Sequence, residues 1–177
     1  MKKLIYYSFL IVSSSFLASC DSDDDIDIED EGRVYYDNRS IELDHARIIE
    51  AGRDDRGGYN VVQLSSEYIS LNSTSHADAY VNIKIYNDFH TSFSGNYWFD
   101  DPMHRIVDID YYENVTTNNG YVESYGKHLD YEDFNHSGNI FINNFSSGYI
   151  DSEFYFRDRG GKELRGYYTG RFEKAYY

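Results

Sequence analysis

Carboxylates are the chain's largest stock of reactive side chains, with 31 Asp and Glu against 16 Lys and Arg. Two acids held roughly 5–9 Å apart, one of them kept protonated, can hydrolyse a glycosidic bond. Asp151 and Glu153 stand at spacing two, which puts both on one face of a strand, and Asp108 and Asp110 do the same among Val107 and Ile109. In so acidic a chain, such pairs also arise by chance on a charged solvent face. The densest aromatic and acidic group is Tyr97-Trp98-Phe99-Asp100-Asp101, which holds the only Trp. Rings beside carboxylates suit carbohydrate, whose C–H faces lie on a ring while its hydroxyls bond the acids. Such rings are also general interface material. In the competing reading Tyr97 and Phe99 enter the core and Trp98 covers a loop before Pro102. A third candidate is the polar side of the C-terminal hairpin, where Tyr149, Asp151, Glu153 and Tyr155 face Arg165, Tyr167, Arg171 and Glu173. Cross-strand pairs of roughly 0.2–1 kcal/mol each account for that face without any ligand.

Other chemistries find no foothold. The chain has no Gly-rich phosphate loop, no His-Glu-x-x-His, no Gly-x-Ser-x-Gly and no Cys-x-x-Cys. His45, His76, His90, His104, His128 and His136 are scattered, with no pair spaced to share a strand face. Neither a metal site nor a cofactor is expected. No catalytic residue is assigned.

The candidates need a scaffold, and from Arg33 onward its period is two. Val81, Ile83 and Ile85 alternate with Asn82 and Lys84. Leu164, Gly166, Tyr168, Gly170 and Phe172 alternate with Arg165, Tyr167, Thr169, Arg171 and Glu173. Such alternation marks a half-buried antiparallel strand. It predicts strands at about 33–37, 41–50, 59–65, 67–71, 79–86, 105–112, 120–125, 138–145, 148–157 and 164–173. Gly57-Gly58, Asn118-Asn119-Gly120, Ser147-Gly148 and Asp158-Arg159-Gly160-Gly161 carry the turn chemistry between them. The 20 Tyr and 11 Phe, with a single Pro, suit pleated surfaces, and no segment shows a helical apolar stripe. The expected fold is one all-β domain over residues 33–177, an antiparallel β-sandwich or flattened lipocalin-like barrel of about ten strands. Val81, Ile83, Ile85, Phe154, Phe156, Leu164, Tyr168 and Phe172 are expected to face its core.

The N-terminus speaks to address. Met1-Lys2-Lys3, the apolar and hydroxyl-rich run Leu4 to Leu17, and the small residues Ala18-Ser19 read as a secretory signal over residues 1–19. The run is shorter than the roughly 20 apolar residues that span a bilayer. Leu17-Ala18-Ser19-Cys20 resembles the lipobox of bacterial lipoproteins, which implies cleavage before Cys20 and a diacylglyceryl group on its sulfur. Acyl chains such as palmitate then anchor the protein to the membrane without spanning it. Cys20 is the only Cys, so no internal disulfide forms.

Residues 20–32 read as the lipidated Cys followed by an acidic, disordered linker. Asp21, Asp23, Asp24 and Asp25, directly behind the lipobox, resemble the export signal that sends Bacteroidota lipoproteins to the outer face of the outer membrane. A plain solvated spacer is one alternative; a loose Ca²⁺ site on Asp23, Asp25, Asp27 and Glu29 is another. An EF-hand loop needs Gly at its sixth position, where this chain has Ile28. Without residues 1–19, 14 basic residues remain against 31 acidic ones, a formal charge of −17. That balance excludes nucleic acid as a partner and electrostatic docking on anionic lipid.

From Ile41 to the end the chain resembles a family of uncharacterised Bacteroidota surface lipoproteins. The resemblance rests on an opening strand from Ile41-Glu42-Leu43 to Ala51-Gly52, and on Tyr59-Asn60-Val61-Val62-Gln63-Leu64. It continues through Gly95-Asn96-Tyr97, Ser137-Gly138-Asn139-Ile140 and the closing Gly166-Tyr167-Tyr168-Thr169-Gly170-Arg171-Phe172. It implies a shared fold, lipocalin-like or a sandwich, and carries over no catalytic residue. The function expected is a lipid-anchored, non-enzymatic binding or accessory module at the cell surface. Its ligand site is expected on Trp98, Tyr97, Asp100 and Asp101, with glycan the ligand class that cluster suits and a protein the other partner considered. A small glycan hydrolase using paired carboxylates, and an immunity or inhibitor lipoprotein, are the alternatives.

Overall fold

The computed structural model describes residues 30–176. Their strands are β1 (Glu31–Tyr36), β2 (Arg39–Glu42), β3 (His45–Arg53), β4 (Gly57–Ser65), β5 (Thr74–Asp88), β6 (Gly95–Trp98) and β7 (His104–Asn118). After these come β8 (Tyr121–Ser124), β9 (Lys127–Leu129), β10 (Gly138–Ser146), β11 (Tyr149–Arg157), β12 (Glu163–Arg171) and β13 (Glu173–Tyr176). Strands take 68 % of this region and helices none. All thirteen join one curled, open half-barrel sheet in the order β13-β3-β4-β5-β7-β6-β10-β11-β12-β1-β2, with β8 and β9 paired to the far end of β7.

The count is thirteen rather than about ten, and two pairings are parallel: β13 with β3, and β6 with β7. The strand expected over 67–71 is an irregular segment between β4 and β5. There Ile69 is buried in a small cluster with Ala77, Tyr80 and Val115, while its carbonyl accepts a bond from Arg47 at 2.8 Å. The strand expected over 41–50 breaks at Leu43-Asp44. The Leu43 amide bonds back to Gly32 and the Asp44 amide reaches across to Ser65, so the chain leaves one end of the sheet and joins the other. Gly57-Gly58 opens β4 instead of interrupting it. The preceding turn is made by Asp54, whose Oδ1 accepts the amides of Arg56 and Gly57, each at 2.8 Å.

The alternation itself appears as read. Val81, Ile83, Ile85, Phe154, Phe156, Leu164, Tyr168 and Phe172 are all buried. They belong to one cluster fed by nearly every long strand and lined by Tyr97, Tyr111, Phe134, Ile140 and Ile142. Because the period is two, each strand that turns these residues inward turns its polar and aromatic neighbours outward. The outer face is therefore as fixed in register as the core.

Across the open side of the curl, the β1–β2 hairpin meets β7 and β9. Its turn is Asp37-Asn38, both at positive φ (50° and 64°), the backbone a two-residue hairpin turn requires. Arg39 pairs with buried Glu113, Lys127 Nζ lies 4.4 Å over the Tyr36 ring, and the rings of Tyr36 and Tyr111 sit 5.7 Å apart.

Candidate ligand-binding face

The register of β6, β10, β11, β12 and β1 places outward residues side by side. Trp98 on β6 stands opposite Asn139, Asn139 opposite Tyr155, Tyr155 opposite Arg165, and Arg165 opposite Tyr35. On its other flank Trp98 is matched to Arg105 of β7, itself opposite Tyr86 of β5. One transverse row thus runs Tyr35, Arg165, Tyr155, Asn139, Trp98, Arg105, Tyr86, with no carboxylate in it, and its last ring, Tyr86, is buried beneath Arg105 and Tyr59. Two residues along the strands a second row runs Arg33, Tyr167, Glu153, Phe141, Asn96. Rings and polar groups are interleaved in both. Tyr35, Tyr155, Tyr167, Phe141, Asn96, Asn139, Glu153 and Arg165 line an open depression of about 720 Å³, within the range of small-molecule sites.

Several of these side chains are held in place. Asn139 Nδ2 donates to Asn96 Oδ1 at 2.8 Å. The Tyr155 hydroxyl donates to Glu163 at 2.9 Å and accepts from Arg157 at 2.7 Å. The bond from Tyr155, then the one from Arg157, hold Glu163 below the usual carboxylate range. Tyr167 donates to Glu31 at 2.9 Å, and that bond raises the phenol's pKa. The Arg165 guanidinium lies 5.3 Å over the Tyr35 ring and that of Arg105 lies 5.4 Å over Tyr86. Among the described residues neither arginine forms an ion pair. Trp98 and Phe141 are 48 % and 41 % exposed, which for rings of this size is a large apolar surface left in water.

The expected cluster at 97–101 is divided by the strand period. Trp98 points outward into the row, whereas Tyr97 and Phe99 are buried, with Tyr97 donating to the Phe93 carbonyl at 2.7 Å. Asp101 accepts the amides of His104 and Met103 at 2.8 and 2.7 Å, a turn-forming role that lowers its pKa. Asp100 is exposed on the turn beyond β6, where its charge, after burial, raises the phenol of Tyr131. The cluster keeps its Trp and exchanges its acids for Asn139, Asn96 and Arg165.

The hairpin face contributes Glu153, Tyr155, Arg165 and Tyr167 to the two rows. Its cross-strand partners are Glu153 with Tyr167 and Tyr155 with Arg165, and Tyr149 lies opposite Arg171. The hairpin's ion pair is Arg157–Glu163 at 3.0 Å, while Glu173 has left for β13 and pairs with Arg47 of β3 at 2.9 Å. Of the carboxylate pairs, Asp151 accepts a bond from Thr169 at 3.1 Å and Asp110 one from His128 at 2.7 Å. Asp108 is raised above its ordinary value, first by burial and then by the charge of Asp110. The His128 ring is also stacked on Tyr112 at 4.3 Å, His76 bonds Thr116, His104 the Ser92 carbonyl, and His136 Tyr131. Among the described residues no three His, Cys, Asp or Glu side chains converge to hold a metal ion.

Cys20, the acidic positions Asp21, Asp23, Asp24 and Asp25, and the loose Ca²⁺ reading on Asp23, Asp25, Asp27 and Glu29 lie outside the described residues. The contributors that sequence reasoning missed are Asn96, Asn139 and Phe141, together with Arg105. The outward alternation of Asn139, Phe141 and Arg105 was legible, while Asn96 sits on the four-residue β6, too short to read. Their adjacency was not legible, because β6 reaches β10 through a pairing distant in sequence and meets β7 in parallel at the single pair Trp98 and Arg105. Comparisons with protein-family models, curated proteins and solved structures return no match to this chain.

Proposed function

We propose that this chain is a lipid-anchored, surface-displayed binding module that holds a glycan on the outer face of its sheet and performs no chemistry on it. The observation that carries this reading is the double row of rings and hydrogen-bonding side chains, most of which line the open depression, with Trp98 opposite Asn139 beyond its lining. Stacked sugar C–H groups would cover Trp98 and Phe141, and the hydroxyls would find donors and acceptors in Asn96, Asn139, Arg165 and Glu153. The lipobox at Cys20 and the acidic run behind it support attachment to the outer membrane with the domain outward, as in the Bacteroidota lipoproteins the sequence resembles. The curled sheet is compatible with the lipocalin-like or sandwich architecture that the resemblance implies.

The test has two arms. The wild-type chain should fractionate with membranes and be removed from intact cells by added protease. Cys20→Ala should release it or stall its processing, and Asp23, Asp24 and Asp25 changed together to Ala should restore protection. On an immobilised glycan panel the mature chain should capture at least one glycan, and Trp98→Ala should weaken capture about thirtyfold, as loss of a stacked anchor does, while melting unchanged. Capture unaffected in that variant would remove the outer face from the account. Release of reducing sugar would assign catalysis in place of binding.

A further inference from the structure

The geometry points to a specific ligand shape: a neutral, extended β-1,4-linked glycan lying across the strands, with one sugar over each strand. The inference rests on the outer face being the binding surface and goes on to its spacing. Along the first row, rings occur at every second strand: Tyr35 on β1, Tyr155 on β11 and Trp98 on β6. Neighbouring strands lie 4.7–4.9 Å apart, so successive rings are roughly 9.5 Å apart at the backbone. Side chains on the outside of a curled sheet diverge, which widens that interval slightly at the ring tips.

Two sugars of a fully extended β-1,4-linked chain repeat at close to this interval, with alternate rings presenting the same face. A chain laid along the row would stack every second sugar on Tyr35, Tyr155 and Trp98, displacing the Arg165 guanidinium from the Tyr35 ring. The sugars between would lie over Arg165 and Asn139, whose N–H groups not already bonded would donate to hydroxyls. An α-1,4-linked chain curves, and after one contact its sugars leave the row.

Charge selects among extended polymers. The row itself holds no carboxylate to receive a cationic chain: Glu153 stands in the second row, and Glu163 beside Tyr155 is already engaged by Tyr155 and Arg157. The protein's formal charge of −15 repels a polyanion. Its two guanidiniums are turned onto Tyr35 and Tyr86 rather than paired with acids, which leaves them as hydrogen-bond donors for neutral hydroxyls.

Calorimetry on the full mature chain in detergent micelles tests this with four hexasaccharides: cellohexaose, xylohexaose and mannohexaose, all β-1,4-linked, and α-1,4-linked maltohexaose. Shorter members of each series accompany them. At least one β-linked series should gain affinity at every step from two to six sugars, and its hexaose should bind about tenfold or more tighter than maltohexaose. Tyr155→Ala, which removes the middle ring, should abolish the gain beyond three sugars. Tyr155→Phe, which keeps the ring, should retain it and so separates stacking from loss of the hydroxyl's bonds to Arg157 and Glu163. Maltohexaose binding as tightly as the β-linked chains, or affinity that stops rising at two sugars, overturns the inference. If none of the four binds while another glycan is captured in a Trp98-dependent way, the linear-chain inference fails and the binding face stands. If capture is independent of Trp98, both fail.

Discussion

Asp158 shows how the carboxylates of this chain are used. Its Oδ2 accepts the Tyr36 hydroxyl at 2.6 Å and its Oδ1 the Lys162 amide at 2.8 Å, so it ties the β11–β12 turn to β1. Burial works against the charged form, but those bonds together hold the carboxyl below its ordinary value. Asp54 and Asp101 are lowered mainly by backbone amides at their own turns. Acids placed this way are turn formers rather than members of catalytic pairs. A carboxylate with a depressed folded pKa contributes stability that is present above its unfolded value, near 4, and is lost as pH falls through the folded value. The melting temperature should therefore decline as pH drops from about 5 towards 2. Asp158→Asn should melt lower at neutral pH and show a flatter decline. Superimposable curves for the two proteins would remove Asp158 from the acid response.

At the scale of elements, the feature most exposed to failure is the contact between the β1–β2 hairpin and β7. Glu113 is 3 % exposed and is satisfied by Arg39 and by the Tyr111 hydroxyl at 3.1 Å. Removing Arg39 leaves a buried carboxylate with one neutral partner. The cost should exceed the roughly 1 kcal/mol ceiling of an exposed pair. It should stay below the roughly 3–5 kcal/mol of a fully buried one, because Arg39 itself is largely in water. Urea unfolding of Arg39→Ala measures it, and adding Glu113→Gln should recover most of the loss. A cost under about 0.5 kcal/mol would mean that the hairpin does not hold the sheet's curl.

Neither this contact nor the transverse row was visible in the sequence. Alternation names the face of every long strand, as Val81, Ile83 and Ile85 show, but says nothing of which strand lies next. β6, β9 and β13 are three or four residues long and offer too few alternations to read. The segment at 67–71 alternates, yet it is claimed by Arg47 and the small cluster around Ile69. Gly138 was legible only as a motif. Its φ of 151° and the 2.4 Å approach that a Cβ would make to Phe156 and to the Tyr155 carbonyl show why a glycine precedes Asn139 in the row.

For the whole molecule, the same period that builds the core builds the proposed binding face: each inward residue of β6, β10, β11, β12 and β1 fixes an outward one. The sheet begins at Glu31, so residues 31 and 32, expected in the linker, are strand. The lipid and acidic leader proposed for the residues before it would hold that face away from the membrane. Trp98 is the only Trp in the chain, and half of it meets solvent where β6 joins the first row opposite Asn139. Its fluorescence, excited selectively over that of the 20 Tyr, therefore reports on this face. Titrating the mature chain with the glycan it captures, and following Trp98 emission, tests the binding face most directly. The account predicts a saturable blue shift as sugar displaces water from the indole, with a midpoint matching the affinity measured by calorimetry. Saturation in the calorimeter with no change in Trp98 emission would contradict it.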